Sequence, residues 1–271
     1  MASASQTFQG GVSTGDSRAI PAQLLVVSWN IQFGVEAAAA AAALLESPQL
    51  RDADLILLQE MDEQGTELVA RTVGLEYVYV PASVHPQTGR NFGNAVLSRW
   101  PLTDPGVVSL PYTSAVQGQP RQVVHAVAHV GPMRIRACSV HTEVATLSPA
   151  KRRRQFAAIG DVTSAGPDEL LVIGGDFNTL TRRGIEAVTS RLASIGARRA
   201  TEGAGPTLRR GGRESLSTTY IRGHSRQYLA ELSQASAPVI IVQFGLALLL
   251  RSLRKTAHLW RTELLDAAET R

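Results

Sequence analysis

Leu55-Ile56-Leu57-Leu58-Gln59-Glu60-Met61 runs four aliphatic residues into an amide and then a carboxylate. Four aliphatics in succession leave no polar face, so a strand here must be covered on both sides, as in an α/β domain. Working outward, 24–31 has the same character, and 36–46 carries seven consecutive alanines, a strong helix former. Residues 63–73 read as a helix and 76–80 as a strand rich in Tyr and Val. Strands follow at 94–98, 107–110, 122–130 and 133–141, the last two joined by a Gly131-Pro132 hairpin turn. Ser148-Pro149 suits the cap and first turn of a helix reaching about Val162, and 169–174 is one more buried strand. Mixed strands with interspersed helices predict an α/β fold. No internal repeat interrupts it. Gly and Ser dominate 1–22, which reads as a flexible leader before structure begins at 23.

With 271 residues, 44% of them hydrophobic and 18% charged, the chain can bury one large core, which excludes disorder throughout. A formal charge of +4 suits an anionic ligand but is too mild to separate nucleic acid from a phospholipid surface or a small phosphate ester. The single cysteine, Cys138, lies in an apolar stretch and forbids an internal disulfide, and 1–16 lacks the pattern of an export signal. The expectation is a cytoplasmic monomer. The apolar run 237–250 is too short to span a bilayer and contains Gln243, so no transmembrane segment is expected.

The residues able to carry chemistry stand where buried strands end: Asn30, Glu60, His141, and the pair Asp176 and Asn178 after Val172-Ile173-Gly174-Gly175. Loops held by buried strands can gather such groups in one place. Each has a plain alternative. Asp176-Phe177-Asn178 could be an Asx-rich turn, Glu60 a solvated strand-end carboxylate, and His141 a core histidine satisfied by backbone. His125 and His129, inside a strand, are assigned to the core.

Read together, five strings resemble the endonuclease/exonuclease/phosphatase family in order and approximate spacing. They are Ser28-Trp29-Asn30-Ile31, Leu57-Leu58-Gln59-Glu60-Met61, Gly93-Asn94-Ala95-Val96-Leu97-Ser98-Arg99, Val140-His141-Thr142 and Gly174-Gly175-Asp176-Phe177-Asn178-Thr179. The resemblance implies a four-layer sandwich of two mixed β-sheets flanked by helices over 23–215. It implies a metal-dependent hydrolase of phosphate esters, whether phosphodiesterase, nuclease or phosphatase, using Mg²⁺ with Mn²⁺ as substitute. Glu60 would be the principal metal ligand, with Asn30 beside it. Asp176 would orient or deprotonate the attacking water, Asn178 would donate to the phosphoryl oxygens, and His141 would hydrogen-bond the phosphate. Asn94 resembles a position near the site but equally suits a tight turn after Gly93, and Arg121 is a candidate phosphate contact. The basic run Lys151 to Arg154 either widens a positive field or forms a solvated helix face.

The resemblance breaks in the last quarter of the chain. Members of the family carry a late Asp, often in a Leu-Asp-His-Ile type string, and a closing Ser-Asp-His. Here the only aspartate after Asp176 is Asp266, and the only histidines after His141 are His224 and His258, none in a matching context. Codons for Leu-Asp-His-Ile read in a shifted frame give Leu-Ser-Thr-Thr, and Leu216-Ser217-Thr218-Thr219 stands about where the string belongs. The reading frame is therefore expected to change between about Thr207 and Leu216. On this reading 216–271 is an atypical, mostly helical tail and the second sheet is incomplete at its C-terminal end. A chain lacking the terminal histidine could also be a catalytically impaired phosphate-binding protein that keeps the fold.

Overall fold

The computed structural model describes residues 6–13, 21, 24–48, 50–114, 118–143, 147–162, 169–179, 181–200, 208–210, 213–222 and 239–244. Thirteen strands and four helices lie within these residues. In chain order they are β1 (Phe8–Gly11), β2 (Leu24–Asn30), α1 (Ala37–Glu46), β3 (Leu55–Met61), α2 (Glu63–Val73), β4 (Glu76–Val84), β5 (Asn91–Ser98), β6 (Leu102–Leu110) and β7 (Arg121–Val130). Then come β8 (Met133–His141), α3 (Pro149–Val162), β9 (Glu169–Thr179), α4 (Arg182–Ala193), β10 (Arg198–Arg199), β11 (Leu208–Arg210), β12 (Arg213–Arg222) and β13 (Val239–Phe244).

One sheet has the order β1-β4-β5-β3-β2-β13, the other β10-β12-β9-β8-β7-β6 with β11 paired to β12. Both are mixed: β2 runs parallel to β3 and β13, β8 runs parallel to β9, and antiparallel pairs complete each sheet. The layering follows from alternation along the strands. Val27, Trp29, Ile56 and Leu58 face α1 and α2, where Ala40, Ala41, Leu44, Val69 and Ala70 close an outer core. The intervening Val26, Leu55 and Leu57 face the other sheet and meet Val124, Ala126, Ile135 and Val172. Beyond that sheet, Val123, Cys138, Val140, Leu171 and Ile173 pack against Phe156 and Ile159 of α3 and Val188 and Leu192 of α4. Four layers result, and the unbroken aliphatic runs exist because both faces of each sheet are covered. Among the described residues no helix is long and apolar enough to cross a membrane.

Two expectations need correction. Within 1–22, read as a flexible leader, Phe8–Gly11 is a strand paired antiparallel to β4, with the Phe8 ring 5.8 Å from that of Tyr79. One aromatic anchor and edge hydrogen bonds suffice to order four residues that show no period. The mostly helical reading of 216–271 meets strand in both places where that segment is described, 216–222 and 239–244. Thr218, Thr219 and Ile221, like Val239-Ile240-Ile241-Val242, are β-branched and favour extended backbone. The rest of the tail, with His224, His258 and Asp266, lies outside the described residues. One helix, α4, went unread because only three of its twelve residues, Ile185, Val188 and Leu192, are large apolar side chains.

Candidate active site at the carboxyl ends of the parallel strands

Two parallel pairings do most of the gathering. Asn30 stands opposite Gln59, which puts it next to Glu60, and His141 stands directly opposite Asp176. Parallel strands end on the same edge, and the two sheets stacked face to face bring both edges together. The Asn30 amide spans the gap: Nδ2 donates to Glu60 Oε1 at 3.0 Å and to Asp176 Oδ2 at 3.1 Å, joining positions 146 residues apart. His141 Nε2 lies 3.7 Å from Glu60 Oε1. Asp176 Oδ1 accepts from the Asn178 backbone N–H at 2.9 Å, and Asn178 Nδ2 donates to the Thr142 carbonyl at 2.9 Å. Asn30, Glu60, His141, Asp176 and Asn178 therefore form one cluster. Asn30, Glu60 and His141 are buried, while Asp176 and Asn178 are partly exposed and open the cluster to solvent.

The backbone is bent to achieve this. Glu60 has φ 59° and Asn178 φ 47°, left-handed values that a residue with a Cβ adopts at a cost of about 1 kcal/mol. At Glu60 the turn coincides with a register shift between β3 and β5 from Leu58 to Met61, which swings the carboxylate off the alternating pattern. Its second oxygen, Oε2, accepts from Phe33 N–H at 3.2 Å.

Burial governs the charges. It pushes Glu60 up to about 7 against the hydrogen bond from Asn30, and the like charge of Asp176 adds to the rise. Burial raises Asp176 as well, opposed by the Asn178 N–H, the Asn30 amide and the positive charges of Arg121 and Arg152. His141 is driven well below 6.5 by burial and by Arg121, which favours the neutral imidazole. Neither Glu60 nor Asp176 has a Lys or Arg salt bridge among the described residues. The carboxylates of Glu60 and Asp176, sharing the Asn30 amide donor, are hard oxygen donors of the kind a divalent cation takes, although among the described residues no group of three or more His, Cys, Asp or Glu is placed to hold a metal ion. Asn30 presents its nitrogen to both acids and its oxygen to Gln32 N–H at 3.0 Å, so in this arrangement it sets the spacing of the carboxylates.

Asn94 does not sit in a turn. It lies within β5, and Nδ2 donates to the carbonyls of Ser139 at 3.0 Å and Gln122 at 3.3 Å. With Gln59 Nε2 on Ser139 Oγ at 3.0 Å and Ser139 Oγ on the Leu58 carbonyl at 2.8 Å, it belongs to a polar seam stitching the two sheets beneath the site. Its amide hydrogens are thereby committed to backbone. Arg121 is buried, with Nε paired to Glu143 Oε2 at 2.9 Å and its guanidinium 5.6 Å over the Phe92 ring. Its Nη1 has no hydrogen-bond partner among the described residues, and its charge acts on Glu60, Asp176 and His141 alike. Of the basic run, Lys151, Arg153 and Arg154 are exposed, whereas Arg152 turns inward to the carbonyls of Glu143, Phe177 and Asn178. Glu143 was not read from the sequence, and Arg152 was read only as part of the basic run Lys151 to Arg154. Glu143 is separated from His141 by one residue and could have been sought as a counter-charge to Arg121, but nothing distinguishes Arg152 from its neighbours in a basic run.

Two mixed sheets between helices, with acid, amide and imidazole gathered where parallel strands end, make an α/β sandwich with a candidate active site at one end of its sheets. The chain belongs to the endonuclease/exonuclease/phosphatase family, whose sequence profile matches residues 27–228. Members of that family are hydrolases acting on phosphate esters and generally use divalent metal ions. Among solved structures, an endonuclease/exonuclease/phosphatase family protein from Leptotrichia buccalis C-1013-b is 14% identical, with TM-score 0.56 over 72% of this chain and 86% of that one. Humanized D. rerio TDP2 is 16% identical, with TM-score 0.58 over 76% and 86%. Sphingomyelinase C from Streptomyces griseocarneus is 17% identical, with TM-score 0.54 over 74% and 84%. These likenesses are of fold. No curated protein matches the sequence.

Proposed function

We propose that the chain hydrolyses phosphate esters by attack of water on phosphorus with Mg²⁺ bound at Glu60, Mn²⁺ serving as substitute. The observation that carries this reading is the Asn30 amide shared between the carboxylates of Glu60 and Asp176. The bound cation would supply charge neutralisation and polarise a phosphoryl oxygen. Asp176, partly exposed and held at both oxygens, orients a water and takes its proton. Neutral His141 hydrogen-bonds a phosphoryl oxygen, and the second amide hydrogen of Asn178, free of the Thr142 bond, is the donor for charge developing in the transition state. Arg121 supplies a fixed positive field without a salt bridge to either reacting carboxylate. The test is release of p-nitrophenol from bis(p-nitrophenyl) phosphate with Mg²⁺ and with chelator. Chelator-insensitive turnover refutes the reading.

One observation favours a second reading, a phosphate-binding protein with impaired catalysis. β12 runs antiparallel beside β9 with Leu216 opposite Thr179 and Thr218 opposite Gly175. Leu216-Ser217-Thr218-Thr219 thus lies alongside Asp176 to Asn178, where the family carries its Leu-Asp-His-Ile type string. A seryl residue there cannot do the work of a carboxylate. Retained binding of inorganic phosphate without measurable turnover separates this reading from the first.

A further inference from the structure

The exposed end of the cluster is held from behind by a single guanidinium. Arg152 Nη1 donates to the Glu143 carbonyl at 2.6 Å, while Nη2 donates to the carbonyls of Phe177 at 3.0 Å and Asn178 at 2.9 Å. Glu143 lies just past the end of β8, and Phe177 and Asn178 lie in β9 immediately after Asp176. The same junction is crossed by Thr142 N–H to the Asp176 carbonyl at 2.9 Å and by Asn178 Nδ2 to the Thr142 carbonyl. Arg152 stands in the first turn of α3, where the helix dipole disfavours a cation, and three carbonyl dipoles offset that cost. Its guanidinium also lies 5.5 Å from the centre of the Phe156 ring, in the core beneath α3 and α4, so the clamp is anchored to the layer behind the sheet. Through Glu143 it reaches further, because the Glu143 carboxylate holds Arg121 and its N–H is held by Gln155 Oε1 at 3.1 Å.

We propose that Arg152 is a positioning residue for the site: by tying the ends of β8 and β9 through three backbone carbonyls, it fixes Asp176 and Asn178 against His141 and keeps Glu143 under Arg121. It touches no reacting atom. A planar fork presents its donors from separate nitrogens in a fixed plane, whereas an ammonium gathers its three donors on one nitrogen at the end of a flexible stem and holds two segments less rigidly. The left-handed Asn178 backbone, which places the Asn178 N–H on Asp176 Oδ1, is the feature the clamp stabilises.

The proposal rests on the hydrolytic reading only in its kinetic arm, so the test has two arms on the full chain with Arg152→Ala and Arg152→Lys. In the first, amide hydrogen exchange at Thr142 and Asn178 accelerates at least about tenfold in Arg152→Ala, while β7 and α4 keep their protection. In the second, kcat for bis(p-nitrophenyl) phosphate with Mg²⁺ falls on the order of 10²-fold with KM within about threefold. Added guanidinium restores part of it in Arg152→Ala, and Arg152→Lys recovers little. Unchanged exchange at Thr142 and Asn178, or equal acceleration throughout β7 and α4, overturns the proposal. If the wild type shows no metal-dependent turnover, the hydrolytic reading fails and the exchange arm alone decides for or against the clamp.

Discussion

Glu60 bears opposing demands: it is buried, it faces another carboxylate, and its backbone is left-handed. Glu60→Gln keeps the shape and the backbone conformation while removing the charge, so it isolates the electrostatic role. Mg²⁺ affinity by calorimetry should fall at least about tenfold, while the unfolding free energy at neutral pH holds or rises, since the substitution removes a carboxylate whose charge burial disfavours. Unchanged affinity would contradict its assignment as the principal ligand. His85 offers a separate check on burial. Its ring is 4.2 Å from that of Phe33 and 5.6 Å from that of Phe92, and burial lowers its pKa below 6.5. A group whose folded pKa is depressed and whose charged form is the protonated one contributes stability above about 6.5 that is lost as pH falls toward the folded pKa. Urea unfolding of wild type and His85→Gln should therefore diverge below pH 6.5, wild type losing up to about 1.4 kcal/mol per pH unit relative to the variant. Parallel curves would mean the ring is hydrated. At this scale the site was legible where a polar residue ended an aliphatic run, as at Asn30, Glu60, His141 and Asp176. It was illegible at Asn94, because the carbonyls it bridges belong to strands 28 and 45 residues away.

Strands announced themselves by burial, and their ends did not. The cores of β2, β3, β8 and β9 were readable as aliphatic runs, but β4 and β6 extend several residues beyond their apolar centres into half-exposed or exposed ends, where only pairing defines the strand. Register is the part that no single strand carries, and the site depends on it. Gly175 shows how tightly it is set: at φ 150° a Cβ there would lie 1.9 Å from the Val140 carbonyl oxygen. Gly175→Ala should force β8 and β9 apart just before Asp176 and cost on the order of 3 kcal/mol, read as a lower denaturant midpoint at constant slope. A cost below about 1 kcal/mol would mean that this pairing is looser than the register implies. The tail is a different matter. Strand pairing at 213–222 agrees with its β-branched composition, and its origin is a question about the gene: an Asp-His string in an alternative frame after about Thr207 supports a frame change, and its absence removes that explanation.

Across the whole molecule, two mixed sheets between helices were foreseen because uninterrupted aliphatic strands demand cover on both faces, and because five short strings occurred in family order. What could not be foreseen was which element seals each edge, since β1 and β13 add to opposite ends of one sheet through backbone hydrogen bonds that ask little of sequence. A version of the chain whose tail after about Arg213 is translated from the alternative frame, restoring the closing Asp-His, should turn over on the order of 10²–10³ faster than the present chain, because one preorganised donor is worth that much in comparable oxyanion sites. Equal rates would mean that the missing histidine is replaced from within this chain. The most direct measurement is simpler. Purified wild type and Glu60→Gln are assayed on bis(p-nitrophenyl) phosphate across a Mg²⁺ titration and again with chelator. Wild-type turnover should rise with Mg²⁺, vanish on chelation, and be lost in Glu60→Gln at Mg²⁺ concentrations that saturate the wild type. Turnover that survives chelation, or that Glu60→Gln leaves intact, would contradict a metal-dependent phosphoesterase centred on Glu60.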